Sequence, residues 1–264
     1  MRVYIGFDDT DHIDADRGTG KLARWFKNEL PAECSIWGVV RQQLLVHDSI
    51  PYTSHNSSAC AVVDAPDDLS LETLIDRASR HIEALSLDGS DPGLCVVHEN
   101  TPSLPELIAF GRTCTERVVT QREAMEAASG GHLSGHGGDN QGIIGAAAAV
   151  GLTAEGWNGR FIEYGALRDL PDKVLVSDLQ RLNILLVSMD RDARVPSPLD
   201  IVSTKGWLRP RLWGLRAIVP VVPTGEGCWE SVGEKGRNNG GGIPRGASGH
   251  QKVPHLRRGA GKAR

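Results

Sequence analysis

A short strand that runs into a dense acidic loop is the feature that most constrains how this chain can fold. Val3, Ile5 and Phe7 alternate with smaller or more polar residues, which predicts a half-buried strand. Five aspartates follow between positions 8 and 16. Carboxylates this close repel one another unless a cation neutralises them or water solvates them fully. The end of the strand therefore carries more negative charge than a fold of this kind needs.

The acidic loop predicts a site for magnesium and phosphate. Asp8, Asp9 and Asp11 converge on one point if the chain turns between residues 10 and 20. Magnesium takes hard oxygen ligands, commonly one or two carboxylates, and completes its octahedron with waters and substrate phosphates. We therefore predict that these three aspartates bind Mg2+ and act as the catalytic residues. The alternative is an acidic turn whose Asp and Thr residues only cap the next helix.

A second constraint is a glycine-rich stretch that precedes an alanine-rich helix. Six of the fourteen residues from 129 to 142 are glycine, and a helix is predicted from residue 143. Backbone amides without a neighbouring Cβ, at the positive end of a helix dipole, can form an anion pocket. Gly137, Gly138 and Gly142 would let a phosphate approach closely; the alternative is a flexible loop before a tightly packed helix. His132 and His136 are interpreted as loop histidines, either near the phosphate or simply solvated, and solvation is favoured over zinc binding.

The composition is that of a globular protein without a membrane segment. Of its 264 residues, 40% are hydrophobic and 23% are charged, which suits one large domain or two modest ones. The longest apolar run, at 143–152, is too short to span a bilayer, and the early aspartates argue against a signal peptide. The five cysteines are far apart in sequence, which predicts reduced thiols and a cytoplasmic location.

The net charge of −4 conceals an acidic body and a basic tail. Eight Lys and Arg residues and no acidic residue lie at 235–264, which leaves 21 basic against 33 acidic residues elsewhere, a net of −12. An acidic body is a poor platform for nucleic acid, because phosphate neutralisation dominates that affinity. The glycine content and missing apolar periodicity predict a disordered basic tail at 225–264. Such a tail is either a nucleic-acid tether or an inert extension.

Apolar periodicity predicts the remaining elements. Strands are expected at 35–46, 59–63, 93–97, 160–164, 183–189 and 207–222, and helices at 21–30, 69–85, within 102–128 and at 176–182. Strands flank the helix at 69–85, which predicts a small α+β subdomain.

Two stretches taken together resemble the archaeal tRNA-isoleucine agmatinylcytidine synthetase family. Residues 5–11, Ile-Gly-Phe-Asp-Asp-Thr-Asp, are similar to the family's Gly-Ile-Asp-Asp-Thr-Asp motif. Residues 142–150 are similar to its Gly-Leu-Ile-Gly-Ala-Leu-Ala-Ala helix entry. Shorter landmarks at 50–52, 91–93 and 213–216 follow in the same order. The resemblance covers residues 1 to about 220.

The resemblance implies an α+β fold with two parts. A kinase-like ATP-binding α/β domain, split in sequence, would comprise 1–57 and 128–190, and a ferredoxin-like subdomain would comprise 58–127 and 191–224. The family uses ATP to activate a cytidine oxygen of tRNA for displacement by agmatine. Thr19 aligns with a threonine of the family. The candidate ATP-binding residues are Thr10, Gly18, Thr19, Gly135, Gly137, Gly138, Asn140 and Gly142.

The departures from the family concern the substrate. The family's OB-fold and zinc-ribbon regions, which grip tRNA, have no counterpart here, so tRNA binding is doubtful and the acceptor is an unidentified small molecule or RNA. We expect an ATP- and Mg2+-dependent transferase or ligase-like enzyme that activates an oxygen by phosphoryl transfer. The alternatives are a nucleotide-binding regulatory module without catalysis and an RNA-binding accessory protein that uses its tail.

Overall fold

The computed structural model describes residues 1–12, 15, 17–50 and 56–232. Its strands are β1 Arg2–Asp8, β2 Ser35–Gln43, β3 Ser57–Asp64, β4 Gly93–His98, β5 His132–Gly135, β6 Arg160–Glu163, β7 Lys173–Leu175, β8 Ile184–Ser188, β9 Ile201–Ser203, β10 Arg211–Trp213, β11 Arg216–Gly225 and β12 Cys228–Ser231. Its α-helices are α1 Thr19–Trp25, α2 Leu71–Leu85, α3 Leu104–Glu116, α4 Gln121–Ala127, α5 Gly142–Glu155 and α6 Val176–Arg181. Asp14 and Asp16 of the acidic loop, and Pro51 and Tyr52, lie outside the described residues.

The strands form one sheet in the order β5-β4-β1-β3-β2-β6-β10-β11-β12-β9-β7, and β8 pairs with β11. β1 is antiparallel to both of its neighbours, β3 and β4. β2 is antiparallel to β3 and β6, which joins the two halves of the chain. β1 therefore lies inside the sheet, with hydrogen-bonded strands on both sides.

The first four strands and two helices are interleaved. α1 connects β1 to β2 and α2 connects β3 to β4, yet β3 lies between β1 and β2, and β1 lies between β3 and β4. This is the order of two split βαβ units. On the face that α1 and α2 cover, Val3, Ile5 and Phe7 pack with Leu22 and Leu74. The predicted alternation of β1 is thus confirmed for this face.

The opposite face of β1 is covered by the alanine-rich helix α5. Tyr4 is only 6% exposed, and the side chain of Ala146 in α5 is fully buried. A Cβ on Gly6 would collide with the carbonyl of Ala146, so glycine is needed for this close approach. The prediction of a half-buried strand is therefore wrong, because β1 is buried on both faces. The sequence did not indicate burial of the second face, because its residues are a tyrosine and a glycine and not aliphatic side chains.

The C-terminal half of the sheet has a core of its own, where Phe161, Leu179 and Ile184 pack with Trp229. β12 pairs with β11 and β9, and Trp229 in β12 is 5% exposed and donates a hydrogen bond of 2.7 Å from Nε1 to Asp200. The predicted disordered tail is therefore wrong at its start, because an indole anchors this strand in the sheet. Residues 233–264 lie outside the described residues.

The sheet joins the two predicted parts of the chain. β1 and β2 come from 1–57, and both pair with β3 from 58–127. Because these strands share one sheet and one core, the kinase-like and ferredoxin-like subdivision is not confirmed. The coarser expectation, a mixed α/β protein with a large sheet and helices, is confirmed. Each helix in the described part of the chain is too short or too polar to cross a membrane.

Candidate functional site

The acidic loop lines an open cavity of about 920 Å³, its mouth included. Asp8, Asp9 and Asp11 form one wall with Thr19, and the start of α5 contributes a second. The other lining residues are Leu44, Ser49, Ile50, Asn56, Ser57, Cys114, Arg117, Val118, Val119, Gln141, Ile144 and Gly145. The structure therefore brings the three predicted aspartates together in the lining of one open cavity.

Asp8 is the last residue of β1 and lies against α5. A Cβ on Gly145 would overlap the Asp8 carboxylate, so the helix backbone approaches it as closely as glycine allows. Burial raises the pKa of Asp8 well above its usual range, and the charges of Asp9 and Asp11 raise it further. A buried carboxylate beside two others is unfavourable as an anion unless a cation compensates it. The position of Asp8 therefore favours cation binding.

Asp9 turns the chain directly after the strand. Its φ of 51° lies in the left-handed region, which is uncommon for residues other than glycine although Asp and Asn tolerate it best. Burial raises the pKa of Asp9 to about 6, with further contributions from the charges of Asp91 and Asp11. Backbone conformations of this kind persist where the surrounding structure imposes them, often at functional sites.

Thr19, the first residue of α1, fixes the far side of the acidic loop. Its hydroxyl donates to Asp11 Oδ1 at 3.4 Å and lies 3.1 Å from the Thr10 hydroxyl. Burial raises the pKa of Asp11, and the hydrogen bonds from Thr19 offset part of that shift. A Cβ on Gly18 would be 3.3 Å from Asp11 Oδ2. Thr19 lines the cavity, whereas Thr10 and Gly18 only support it.

Magnesium fits this donor set only as a partner of a phosphate ligand. Among the residues that the structure describes, no three Asp, Glu, His or Cys side chains converge as a metal-binding cluster. The structure therefore does not bring Asp8, Asp9 and Asp11 close enough together to hold one ion by themselves. Magnesium commonly uses one or two carboxylates, however, and fills its remaining positions with waters and phosphates. The cavity supplies three carboxylates, which is enough for such a site.

The glycine-rich stretch packs against the start of β4. The Gly142 amide donates to the Asp91 carbonyl at 3.0 Å, and the Asp139 amide donates to the Asp91 carboxylate at 2.6 Å. A Cβ on Gly142 would also meet the backbone of Gly93 and of Asp8. The protein itself therefore uses both amides, and Gly142 allows α5 to approach β1 and β4.

The other predicted phosphate-binding residues lie in the same packed turn. A Cβ on Gly138 would collide with the Asp91 carboxylate, and one on Gly135 would collide with the side chain of Asn140. Asn140 has a left-handed φ of 60°, and Gly137 lies near Pro92. None of these four predicted residues lines the cavity, although the next residue, Gln141, does. A phosphate contact from Gly135, Gly137, Gly138, Asn140 and Gly142 remains a prediction.

One histidine of this stretch lies in a strand and the other in a loop: His132 begins β5 and His136 follows its end. They belong to or follow β5, which pairs with β4. The Ser134 hydroxyl is 2.8 Å from Nε2 of both His132 and His136, and His136 Nδ1 is 2.9 Å from Glu83 Oε1. The predicted loop position is confirmed for His136 and wrong for His132, and the predicted solvation is wrong because both imidazoles are hydrogen-bonded to Ser134. No apolar alternation marks this strand at the level of sequence.

Arg117 and Gly145 are two of the cavity-lining residues that the sequence analysis did not assign to the site. Arg117 follows α3 and donates to Glu123 Oε1 at 2.6 Å and to the Val118 carbonyl at 3.0 Å. Nothing in its local pattern distinguishes it from other surface arginines. A glycine inside an alanine-rich helix did indicate close packing at position 145, and the structure shows that its neighbour is Asp8.

The fold and the cavity define a class: a mixed α/β protein with an acidic ligand cavity at the end of a central strand. No family model matches the sequence, and no curated protein does. Among solved structures, the chain is similar to apo TiaS (the tRNA agmatidine synthetase), with 24% identity, a TM-score of 0.47, and coverage of 57% of this chain and 35% of that chain.

Two further similar structures are complexes of the same enzyme. The complex of TiaS with tRNA and ATP and the complex of TiaS with tRNA, AMPCPP and agmatine each share 26% identity with this chain. Their TM-scores are 0.49 and 0.47, and each match covers 57% of this chain and 36% of that chain. The chain therefore spans about a third of the length of these structures. They represent the family that the motifs at 5–11 and 142–150 resemble.

Proposed function

We propose that this protein is an ATP- and magnesium-dependent transferase or ligase-like enzyme that activates an oxygen atom of its substrate by phosphoryl transfer. The observation that carries the proposal is the shared cavity, in which Asp8, Asp9 and Asp11 face the start of α5. Carboxylates that repel one another in one cavity need a cation, and the magnesium that accompanies nucleotide phosphates supplies it.

The walls of the cavity suit the two ends of ATP. The acidic wall would hold the metal and its phosphates. The apolar side chains of the lining would accept the adenine ring; they are Leu44, Ile50, Val118, Val119 and Ile144. Binding sites of this kind combine apolar walls with a few placed polar groups.

The polar groups would divide the work of phosphoryl transfer, which depends mainly on positioning and on compensating charge. Magnesium, when bound, would offset charge on the phosphates, with Asp8 and Asp9 as its carboxylate ligands. Asp11, held by the Thr19 hydroxyl, would orient the attacking oxygen. The guanidinium of Arg117 lines the cavity and would place positive charge near the transferred group.

We also propose a revised division of the chain. The interleaved order of β1 to β4 with α1 and α2 supports a ferredoxin-like unit at residues 2–98 instead of at 58–127 and 191–224. The acidic cavity would then lie between this unit and helices α3 and α5. A separate kinase-like domain is not needed to build the cavity.

Calorimetric titration of ATP with and without magnesium tests the proposal. We expect binding that requires magnesium and that Asp9→Asn abolishes. Asp68→Asn is the matched control, because Asp68 is exposed at the start of α2, outside the cavity lining. ADP, AMP, phosphate and pyrophosphate are measured in the same samples to identify the bond that breaks.

The products separate the proposal from its alternatives. Release of ADP or AMP, lost in Asp9→Asn and kept in Asp68→Asn, supports an enzyme. Magnesium-dependent binding without any product, with small-molecule or RNA acceptors added, would identify a regulatory nucleotide-binding module instead. Absence of ATP binding to the wild type would refute both, and the acidic loop would then be only a capping turn.

A further inference from the structure

β6 and β10 extend the sheet beyond the strands of the first unit, and they carry a basic surface. An open cavity of about 940 Å³ lies there. Its charged and aromatic lining residues, which we call the arginine face, are Arg41, Arg160, Arg209, Arg211, Trp157 and Trp213. None of the described residues that line this cavity is an aspartate or a glutamate. Four arginines on one surface stand out in a body whose net charge is −12 without residues 235–264.

Three of these arginines form a row across the sheet. Arg160 of β6 is directly opposite Arg41 of β2 and directly opposite Arg211 of β10. Adjacent strands are about 4.8 Å apart, and like charges directly opposite each other destabilise a sheet. The register therefore places three positive charges where they repel one another, within a width of about 10 Å.

The environment of the row increases that cost. Burial lowers the pKa of Arg41, and the charges of Arg209 and Arg160 lower it further. Nε of Arg211 is buried without a hydrogen-bond partner. An external anion would relieve both the repulsion and the missing hydrogen bond.

Aromatic rings border the same arginines. The guanidinium of Arg211 lies 5.1 Å from the ring centre of Trp213, and that of Arg209 lies 3.7 Å from the ring centre of Trp207. Trp157 also lines the cavity and is 63% exposed, a large apolar surface to leave in water. Flat rings beside guanidinium groups can stack with an aromatic ligand. The partner therefore combines negative charge with a flat ring.

We propose that the arginine face binds a nucleotide unit, that is, a phosphate ester carrying an aromatic base, at a site distinct from the acidic cavity. The guanidinium groups of Arg41 and Arg211 bind the phosphate through charge-assisted hydrogen bonds, and Trp157 stacks with the base. The protein supplies the positive charge, so magnesium is not needed. The same unit occurs as a free nucleotide and within a single strand of nucleic acid. This site does not depend on ATP binding at the acidic loop.

Fluorescence and calorimetric titrations of the full chain with AMP, without magnesium, test the site. Inorganic phosphate and a six-nucleotide uridine oligonucleotide are titrated in parallel, to separate free nucleotide from nucleic-acid strand. We expect AMP to bind more tightly than phosphate and to lose affinity as salt rises. Arg41→Gln and Arg211→Gln should each weaken AMP binding about tenfold. Trp157→Ala should weaken AMP binding and leave phosphate binding unchanged.

Matched variants distinguish this site from the acidic cavity. Arg122→Gln removes an exposed arginine that pairs with Glu126 in α4 and should leave AMP binding unchanged, as should Asp9→Asn. Thermal melting identifies any variant that fails to fold. Tighter binding of the oligonucleotide than of AMP, lost in Arg41→Gln, assigns the site to a strand; the reverse order assigns it to free nucleotides. The proposal is overturned if AMP does not bind, or if binding survives in both Arg41→Gln and Arg211→Gln.

Discussion

The acidic cavity and the arginine face hold clusters of opposite charge, and they are built in different ways. Asp8, Asp9 and Asp11 are neighbours in sequence, and the cavity forms because α5 approaches β1 through Gly145. Arg41 and Arg160 are distant in sequence, and only strand register makes them neighbours. In both clusters like charges lie close together. Our two proposals therefore assign to each cluster a ligand of the opposite charge.

The two regions should therefore respond differently to change. The acidic cavity depends on a close backbone contact, so added atoms should damage it. The arginine face is an open surface of long side chains, so salt should act on it more strongly than steric change does.

The greatest change is expected for Gly145→Ala. The added methyl group would overlap the Asp8 carboxylate, and a displacement of about 1 Å at a reacting centre can cost about a hundredfold in rate. Magnesium-dependent ATP turnover should fall by about that factor, and AMP binding at the arginine face should not change. The control is Gly225→Ala, where a Cβ would meet only Cys228, at 4.0 Å. Unchanged turnover in Gly145→Ala would show that the position of the Asp8 carboxylate does not matter for the reaction.

Asp9→Asn should raise the melting temperature of the ligand-free protein by about 3 °C. The substitution removes a partly buried charge that lies near Asp91 and Asp11, and the amide keeps the shape of the side chain. Scanning calorimetry without magnesium measures the shift, with Asp68→Asn as the exposed control. The same variant should lose the stabilisation that ATP with magnesium gives the wild type. A lower melting temperature would show that the carboxylate has a structural role instead.

Arg41→Gln should raise the melting temperature by about 2 °C in low salt. It removes one charge from the row with Arg160 and Arg211. Screening should shrink the difference in about 1 M salt, where the Debye length is about 3 Å. Arg122→Gln is the control and should show no gain. A difference that does not depend on salt would indicate lost packing and not relieved repulsion.

A smaller change is expected at Glu123, which balances the cavity's arginine. Its hydrogen bonds with Arg117 and Thr120 lower the pKa of Glu123 from 4.5 to about 2. Because the folded-state pKa is lowered, this contribution to stability is complete above about pH 4.5 and is lost as the pH falls towards 2. Glu123→Gln should therefore lower the melting temperature by about 1 °C at neutral pH. The melting temperature of the variant should also fall less than that of the wild type as the pH drops from 4.5 towards 2. The same loss of stability in acid for the wild type and the variant would contradict a stabilising role for the hydrogen bonds of Glu123.

The local elements could be predicted because their signals are local. The alternation of Val3, Ile5 and Phe7 located β1. Asp8, Asp9 and Asp11 line the cavity, and their role in binding magnesium stays a prediction. The alanine-rich helix α5 was also expected, and the structure confirms its start near residue 142. The glycine-rich loop was predicted to bind phosphate through its backbone amides, yet the amides of Gly142 and Asp139 donate hydrogen bonds to Asp91. That pairing joins residues about fifty positions apart, and no local pattern indicates it.

The C-terminal part shows the same limit. Glycine content predicted a tail from residue 225, but Trp229 is buried and bonded to Asp200. One aromatic residue in a polar segment gives little periodicity, so its burial depends on the sheet edge that accepts it. The division into two discontinuous parts was implied by the family resemblance and stays a prediction, while the sheet pairs strands from both parts.

The sequence by itself determined the strand, the acidic loop and the buried helix, because each is encoded by residues within about a dozen positions. The tertiary structure decided that the Asp8 carboxylate lies against Gly145. It also decided that Arg41, Arg160 and Arg211 are aligned across β2, β6 and β10. The physical reason is that charge repulsion acts over a few ångströms in space, and strand register and helix packing alone set those distances.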